Sequence, residues 1–435
     1  MAIKSGESSK QVDSSPVRIE KLVPGGNGLG HFDDGVVFVP LTAPGDLVTL
    51  REIRRRRGVY FAELDKIIES SPERRDPPCP WFGLCGGCQW MHMDYGSQIR
   101  WKEDIFKQAL RGIGHLKEQT ALRVHPTQSE FHYRFRARLQ IKGSSVGFYR
   151  RASNSIVPWE RCMQLPETLN SAVKDLRIWF EKNAAPSALT SCEIAVSPVD
   201  GSMTFHWILN RGKENSVASR MIMDGMEEII DRKKVDLVGQ AAHDSGGATI
   251  ATRGGTLALE IDRIRMSASP GTFFQVHPDV NAVLVERTLS HLRAMGSLSL
   301  LDLYCGNGNF SLPAAAAGMK TVGVESSPGA VLDALSSSGP DSRFIEMDTA
   351  RFLAQDNEKH DAVIVDPPRT GLPREVAELL AAKKIPLLIY VSCEPSTLAR
   401  DLARLTEAAY VISDIELFDM FPQTSHSEAL VVMKG

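Results

Sequence analysis

Residues 301–309 read Leu-Asp-Leu-Tyr-Cys-Gly-Asn-Gly-Asn, an apolar strand that ends in a glycine-bearing turn and opens a helix. Such a turn lets the backbone approach a nucleotide-like ligand closely. It lacks the full GxGxxG spacing of dinucleotide folds, which disfavours NAD. Working outward, TVGVE, RFIEMD, DAVIVD, PLLIYVS, YVISDIELF and ALVVMK are strand-like, with helical segments between the early ones. Runs this apolar suit strands covered on both faces, so residues 271–435 are predicted to form a Rossmann-like, doubly wound α/β domain.

Upstream the pattern changes. Residues 1–15 are polar and aperiodic and read as a disordered arm. Residues 16–72 hold short alternating segments between the turn clusters GGNGLGHFDDG and TAPGD, which predicts a small OB-like β-barrel closed off by SPERRDPP. Residues 73–270 read as a mainly β central domain with a helical stretch near 91–124, centred on Tyr95–Gly112 and expected to pack on the α/β domain. Within it FHYRFRARLQIK places Tyr133, Phe135, Ala137, Leu139 and Ile141 on one strand face and His132, Arg134, Arg136, Arg138 and Lys142 on the other.

The 435 residues are 43% hydrophobic and 24% charged, ordinary globular values that exclude wholesale disorder, collagen and coiled coil. No apolar run reaches the roughly 18 residues of a membrane span, and the opening MAIKSGESSK has no apolar signal core, so a cytoplasmic protein away from membranes is expected. The net charge of −3 conceals an asymmetry: 25 Lys and Arg against 18 Asp and Glu up to residue 165, then 25 against 35. A basic front half suits a polyanionic partner or a solvated face.

The chemistry-bearing residues fall at strand ends. Glu325 closes TVGVE, where a carboxylate accepts from ribose hydroxyls. Asp366-Pro367-Pro368-Arg369 closes the fourth strand and, paired with the first loop, suggests S-adenosylmethionine; the same DPP also occurs in methyltransferases that grip an amine nitrogen. Cys393, in Ser-Cys-Glu-Pro, is either a core thiol or a nucleophile beside a helix N-terminus. Gln423-Thr-Ser-His-Ser-Glu428 precedes the last strand and offers Glu428 as a base, with His426 read as structural. The seven cysteines are an odd set for a disulfide framework. Cys79-x5-Cys85-Gly-Gly-Cys88, with Cys162 as a fourth thiolate, favours an iron–sulfur cluster over zinc, since a ribbon needs two C-x2-C knuckles.

Together the cysteine set, Phe273-Phe274-Gln275-Val276, the DLYCGNGNF loop, DPPR, SCEP and QTSHSE resemble the RNA 5-methyluridine methyltransferases, in the RumA/RlmD-like group with an N-terminal TRAM domain. The resemblance implies a class I methyltransferase fold that transfers methyl from S-adenosylmethionine to uridine C5 of RNA. Ribosomal RNA, as 23S, is the expected substrate, with transfer RNA as the alternative; an N-directed methyltransferase and a non-enzymatic iron–sulfur RNA-binding module remain as competitors. By position, Cys393 is implied as nucleophile and Glu428 as general base. Gln275, Tyr304, Asn309, Glu325, Asp348 and Asp366 are implied as the S-adenosylmethionine shell, and Cys79, Cys85, Cys88 and Cys162 as ligands of a [4Fe-4S] cluster with a structural role. A monomer is implied. Two positions depart from the family pattern: Glu394 follows the nucleophile where Asn is common, and Asp348 stands where Asn is often seen. A carboxylate at Glu394 is expected to raise the thiol pKa or discourage phosphate. The four arginines at 54–57 with Tyr60 and Phe61, the Arg134/Arg136/Arg138 stripe and Phe148-Tyr149-Arg150-Arg151 read as RNA grip, and Phe273 as a stacking platform for a flipped base.

Overall fold

A computed structural model describes residues 9–114, 120–183, 185–211, 215–233 and 237–435. The chain divides into two units. The first holds residues up to Gln108 with Arg150–Ser153 and Phe421–His426, and the second holds the remainder.

In the first unit, β1 (Ser9–Leu22), β2 (Gly28–Phe32), β3 (Gly35–Val39), β4 (Leu47–Arg56) and β5 (Val59–Glu69) close into a barrel of order β1-β2-β3-β5-β4. Alternation drives it: Val17, Ile19, Val37, Val39, Val48, Leu50 and Ile53 point inward and are buried. Closure needs glycine at position 30, where a Cβ would lie 2.6 Å from the Arg18 carbonyl oxygen across the seam. The expected arm is corrected here. Residues 9–15 belong to β1 and pair with β4, Ser9 opposite Arg54 and Val12 opposite Arg51, while residues 1–8 lie outside the described residues. Backbone pairing along β4 makes a strand of a polar segment that apolar periodicity does not mark.

The stretch after β5 is not a boundary. Buried Asp46 accepts from the backbone N–H groups of Ala43 (2.6 Å) and Ser71 (2.9 Å) and pairs with Arg74 at 2.8 Å, fastening residues 71–75 to the barrel. The cysteine loop and most of α1 (Tyr95–Gly112) therefore belong to the barrel's unit rather than to a central domain beginning at 73. Gln423 is buried there too, its side-chain oxygen accepting from Arg75 (2.9 Å) and Gln98 (3.0 Å).

The second unit contains two large sheets. β6 (Leu122–His125) is followed by β7 (Arg136–Lys142), β8 (Ser145–Tyr149), β9 (Ile156–Val157), α2 (Glu167–Lys182), β10 (Leu189–Val196), β11 (Met203–Leu209), α3 (Asn215–Lys233), β12 (Leu237–Asp244) and β13 (Thr249–Gly254). Seven of these strands form a sheet of order β13-β12-β11-β10-β7-β8-β9. The hairpin β14 (Leu257–Ile261) and β15 (Ile264–Ala268) leads through α4 (Pro278–Ala294) into the α/β domain. There β16 (Ser299–Leu303), α5 (Ser311–Ala316), β17 (Lys320–Glu325), α6 (Pro328–Ser336), β18 (Ser342–Glu346), α7 (Thr349–Gln355), β19 (Ala362–Val365), α8 (Arg374–Lys383), β20 (Leu387–Ser392), α9 (Pro395–Glu407), β21 (Val411–Phe418) and β22 (Glu428–Lys434) build a sheet of order β18-β17-β16-β19-β20-β22-β21-β6. β22 runs antiparallel between β20 and β21, and the other strands of the α/β domain run parallel where they pair with one another. The expected helical stretch at 91–124 is thus shorter, because residues 122–125 are the edge strand of this sheet, paired with β21.

In the central sheet the alternation of FHYRFRARLQIK holds from residue 136 onward: Ala137, Leu139 and Ile141 are buried. The basic stripe is largely committed within the fold. Arg136 pairs with Glu193 at 3.2 Å and lies 4.6 Å over the Phe273 ring, and Arg138 donates to Ser191 while its side chain stays exposed.

Candidate active site

Parallel order brings the carboxyl ends of β16, β17, β19 and β20 to one edge of the sheet, where open α/β folds bind ligands. Pairing of Leu303 with Val365 sets Tyr304 beside Asp366. On the other flank Ser392 pairs with Ala429 in the antiparallel β20–β22 ladder, and one further step of that register sets Cys393 opposite Glu428. Two segments far apart in sequence are therefore joined by hydrogen-bond register.

The ligand-facing loop is cradle-like. Tyr304 adopts φ +62°, Gly306 φ +55° and Gly308 φ +91°, and a Cβ on Gly308 would lie 2.8 Å from Leu312. Above Gly306 the space is open. Asn307 donates to the Ser267 carbonyl at 2.9 Å, fixing the loop to β15. Glu325 accepts from the backbone N–H groups of Gly306 (3.2 Å) and Ser327 (2.8 Å), which holds its carboxylate at the rim of the turn. Beneath, Asp302 is fully buried; one oxygen takes the N–H and O–H of Ser311 and the other has no partner among the described atoms. Burial pushes its carboxyl up to about 7 despite those hydrogen bonds. Glycines for close approach, a ribose-height carboxylate and a buried carboxyl beneath the turn fit an adenosyl group.

The remaining implied shell residues divide. Asp348 is exposed and caps α7 by accepting from Arg351 N–H at 3.1 Å. The Asn309 amide is engaged in a reciprocal pair with Asn281 at 2.8 and 3.1 Å, so it braces the turn against α4. Gln275 is buried beside exposed Phe273, which is 55% accessible.

Four groups crowd the other half of the edge. Burial pushes the Cys393 thiol up to about 12, with Glu428 and Asp366 adding to the rise and Arg369 opposing it. Glu428 is only 2% exposed; burial and then Asp366 drive it well above the ordinary carboxylate range, again against Arg369. Asp366 is pushed up to about 7 by burial and by Asp302. Buried acids whose mutual repulsion and burial outweigh a single opposing cation are characteristic of sites that do work on a substrate. The expectation for Glu394 is corrected: its carboxylate caps α9 by accepting from Ser396 N–H at 3.3 Å, and the charges acting on the thiol come from Glu428, Arg369 and Asp366. Sequence reading passed over Arg369, which stood in plain view as the fourth residue of DPPR.

Cys79, Cys85 and Cys88 lie on one loop of the first unit and Cys162 in the second; all four are partly exposed, whereas Cys192 and Cys305 are buried. Burial raises the Cys85 thiol, Gly87 N–H opposes, and nearby Cys79 adds to the rise. Among the described residues no group of three or more His, Cys, Asp or Glu is arranged to hold a metal ion, and no helix is long and apolar enough to cross a membrane.

The model of the tRNA (uracil-5-)-methyltransferase family matches residues 220–339 and 343–435. An uncharacterized RNA methyltransferase of Aquifex aeolicus is 30% identical over 96% of this chain and 97% of its own length. The 23S rRNA (uracil(1939)-C(5))-methyltransferase RlmD of Alkalilimnicola ehrlichii is also 30% identical, over 96% of both chains. The crystal structure of Pyrococcus abyssi tRNA (uracil-54, C5)-methyltransferase with S-adenosyl-L-homocysteine shares the fold, with a TM-score of 0.76 and 23% identity over 96% of this chain and 99% of that one. With relatives at 30% identity along nearly its whole length, the chain belongs to the S-adenosylmethionine-dependent RNA (uracil-5-)-methyltransferase family.

Proposed function

We propose that this enzyme methylates C5 of a uridine in 23S ribosomal RNA through a covalent adduct of Cys393, acting as a cytoplasmic monomer. The observation that carries the mechanism is the register that sets Cys393 opposite Glu428 beside the adenosyl cradle. The choice of ribosomal RNA follows the name of the Alkalilimnicola ehrlichii relative, and the P. abyssi neighbour keeps transfer RNA as the second reading.

Uracil C5 is a poor nucleophile. The Cys393 thiolate adds to C6, forming the S–C6 bond and moving the ring π electrons to an enolate centred on O4 and C5. C5 then takes the methyl group from the sulfonium, which leaves as neutral S-adenosylhomocysteine. The Glu428 carboxylate removes the C5 proton, that electron pair restores C5=C6, and the S–C6 bond breaks to return the thiolate. The proton on Glu428 passes to solvent. A carboxyl raised by burial is matched to this task, because base strength rises with pKa. Gln275, Tyr304, Glu325, Asp348 and Asp366 form the cofactor side, with Asn309 bracing it; Phe273, exposed under Arg136, supplies a face for the extruded base. The exposed end of β4, where Arg54 is 61% accessible, contributes phosphate contacts.

The proposal extends to the four partly exposed thiols as ligands of a [4Fe-4S] cluster. Support comes from donor chemistry: four partly exposed cysteines, three on one loop, with Cys79 close enough to act on Cys85. Held by these thiolates, such a cluster would supply structural coordination rather than methyl-transfer chemistry. Iron and acid-labile sulfide counts on anaerobically purified protein test it, and metal-free protein of full activity and stability overturns it.

For the reaction, protein is incubated with S-adenosylmethionine and unmodified 23S RNA or transfer RNA, followed by digestion and mass spectrometry. 5-Methyluridine in 23S RNA alone is expected. Product in transfer RNA alone selects the second reading. Cys393→Ala is expected to abolish product while keeping S-adenosylhomocysteine affinity; full turnover without the thiol removes the covalent mechanism.

A further inference from the structure

We infer that a cleft between the barrel and the cysteine loop, lying wholly inside the first unit, is a second RNA subsite that holds an unpaired guanine, a nucleotide other than the methylated uridine. The inference rests on RNA being the substrate, not on which RNA it is or on the covalent route. The cleft encloses about 570 Å³, within the size range of small-molecule sites. Phe38 and Phe61 make its aromatic wall, with ring centroids 5.5 Å apart and planes tilted by 42°. Phe61 is 41% exposed, and an aromatic face left open beside arginine suits stacking of a base. Along the lining Glu52 and Glu63 balance Arg54 and Arg151, so the charge does not favour a phosphate there and suits a neutral ring with polar edges.

The walls are already locked together. Trp90 Nε1 donates to the Gly26 carbonyl at 3.0 Å, and Arg151 N–H donates to the Leu84 carbonyl at 3.0 Å. The Arg151 guanidinium donates to both Glu63 oxygens, Nη1 at 3.2 Å. Three non-glycine residues of the lining sit in the left-handed region: Leu41 at φ +61°, Glu52 at +52° and Ala152 at +51°. Backbone held there by its surroundings is a mark of ligand clamps. At Glu52 the cause is a bulge. Arg51 pairs with Glu63 and Arg54 with Phe61, so Glu52 and Ile53 together oppose Ala62 alone. Ile53 stays in the barrel core and Glu52 is turned out into the cleft, the re-aiming for which bulges serve. Glu63 is committed to Arg151, whereas the Glu52 contact with Arg54 is loose at 3.8 Å and leaves the carboxylate able to accept. Of the four RNA bases only guanine sets two donors side by side, N1–H and the N2 amine, to meet both oxygens of a carboxylate. Adenine and cytosine place an acceptor next to their amine, and uracil flanks its one N–H with carbonyls.

The test is fluorescence anisotropy of the full-length protein with labelled pentaribonucleotides UUXUU, where X is guanosine, inosine, adenosine or uridine, across a series of salt concentrations. Wild type is expected to bind the guanosine pentamer tightest. Phe61→Ala is expected to weaken that binding about 5- to 150-fold at every salt concentration, the range of one base–aromatic stack, with the slope of log affinity against log salt unchanged. Glu52→Gln is expected to erase the preference for guanosine over inosine, which lacks the N2 amine. S-Adenosylhomocysteine affinity is expected to stay at the wild-type value in both variants, which reports that they are folded. A folded Phe61→Ala that binds guanosine as wild type does overturns the inference, and one that changes the salt slope overturns it by making the cleft a phosphate site. A wild type without guanosine preference, whether it binds all four pentamers alike or none, overturns the inference if it still methylates RNA. Absence of 5-methyluridine from either RNA is instead a failure of the RNA reading itself.

Discussion

The α/β domain buries carboxylates in two places and treats them in opposite ways. At the β21 edge, Glu416 is fully buried and ringed by basic side chains: Arg287 approaches with two nitrogens, the shorter contact 2.8 Å, with His291 at 2.8 Å, His125 at 2.6 Å and Arg123 at 3.2 Å. Burial alone would raise its pKa, but the hydrogen bonds from His291, Arg287 and His125 outweigh it and hold the group well below the ordinary carboxylate range. At the ligand edge, Asp302, Asp366 and Glu428 are driven upward by burial and by one another, with Arg369 as the opposing charge on Glu428. A buried acid given several partners serves the fold. Buried acids placed against one another are kept near the protonation boundary, where moving a proton is cheap.

The sharpest break in this contrast is Glu428→Gln. Removing a general base is expected to lower kcat about 100- to 10,000-fold, while melting temperature holds or rises because an uncompensated acid has gone. Rapid-quench methylation assays with parallel calorimetry check both halves, and a stability loss without a catalytic one would erase the distinction. Glu416→Ala should do the reverse. Stripping the shared partner from Arg287, His291 and His125 is expected to cost about 3–5 kcal/mol by denaturant titration, with specific activity of the folded fraction retained.

The smallest effect sharpens the contrast through pH. Asp302, at 3.8 in its ordinary state and about 7 when folded, contributes stability that is complete below about pH 4 and lost as pH rises through about 7. Glu416, with its depressed value, contributes stability that is complete above the ordinary carboxylate range and lost as pH falls below it. Asp302→Asn is expected to flatten the decline between about pH 4 and about pH 7 by about 1–3 kcal/mol, the scale of an unsatisfied buried polar group, measured by urea unfolding across pH. An unchanged slope would mean that Asp302 is compensated in solution.

How much of this was legible in the sequence follows from where the partners sit. Tyr304, Glu325, Asp366 and Cys393 each end a strongly apolar run, and parallel α/β order gathers such ends by rule, so their shared edge was readable. Glu428 opens the antiparallel strand that returns to the same edge. Glu416 gave no such signal: in SDIELFD it reads as a surface charge, and Arg123, His125, Arg287 and His291 lie on two other elements far back along the chain. β6 was missed for the same reason, since four residues, three half-buried and Arg123 exposed, carry no periodicity and become a strand by pairing with β21. The close approach of Gly371 to Asp401, where a Cβ would lie 2.3 Å from the carboxylate, was hidden as well, because it is a property of tertiary packing.

That small edge strand also decides where the chain can be cut. His125 lies before the whole central sheet and Ser299 after it, so the central sheet interrupts the α/β domain rather than preceding it. A fragment of residues 271–435 follows the apparent boundary, yet it uncovers the backbone of β21 from Ile415 to Phe418 and removes two of the groups around Glu416. An apolar strand with an open row of N–H and C=O groups is a template for self-association. For the intact chain, the same wiring makes completion of the catalytic sheet a late event, since its last strand pairing closes across the entire intervening sheet.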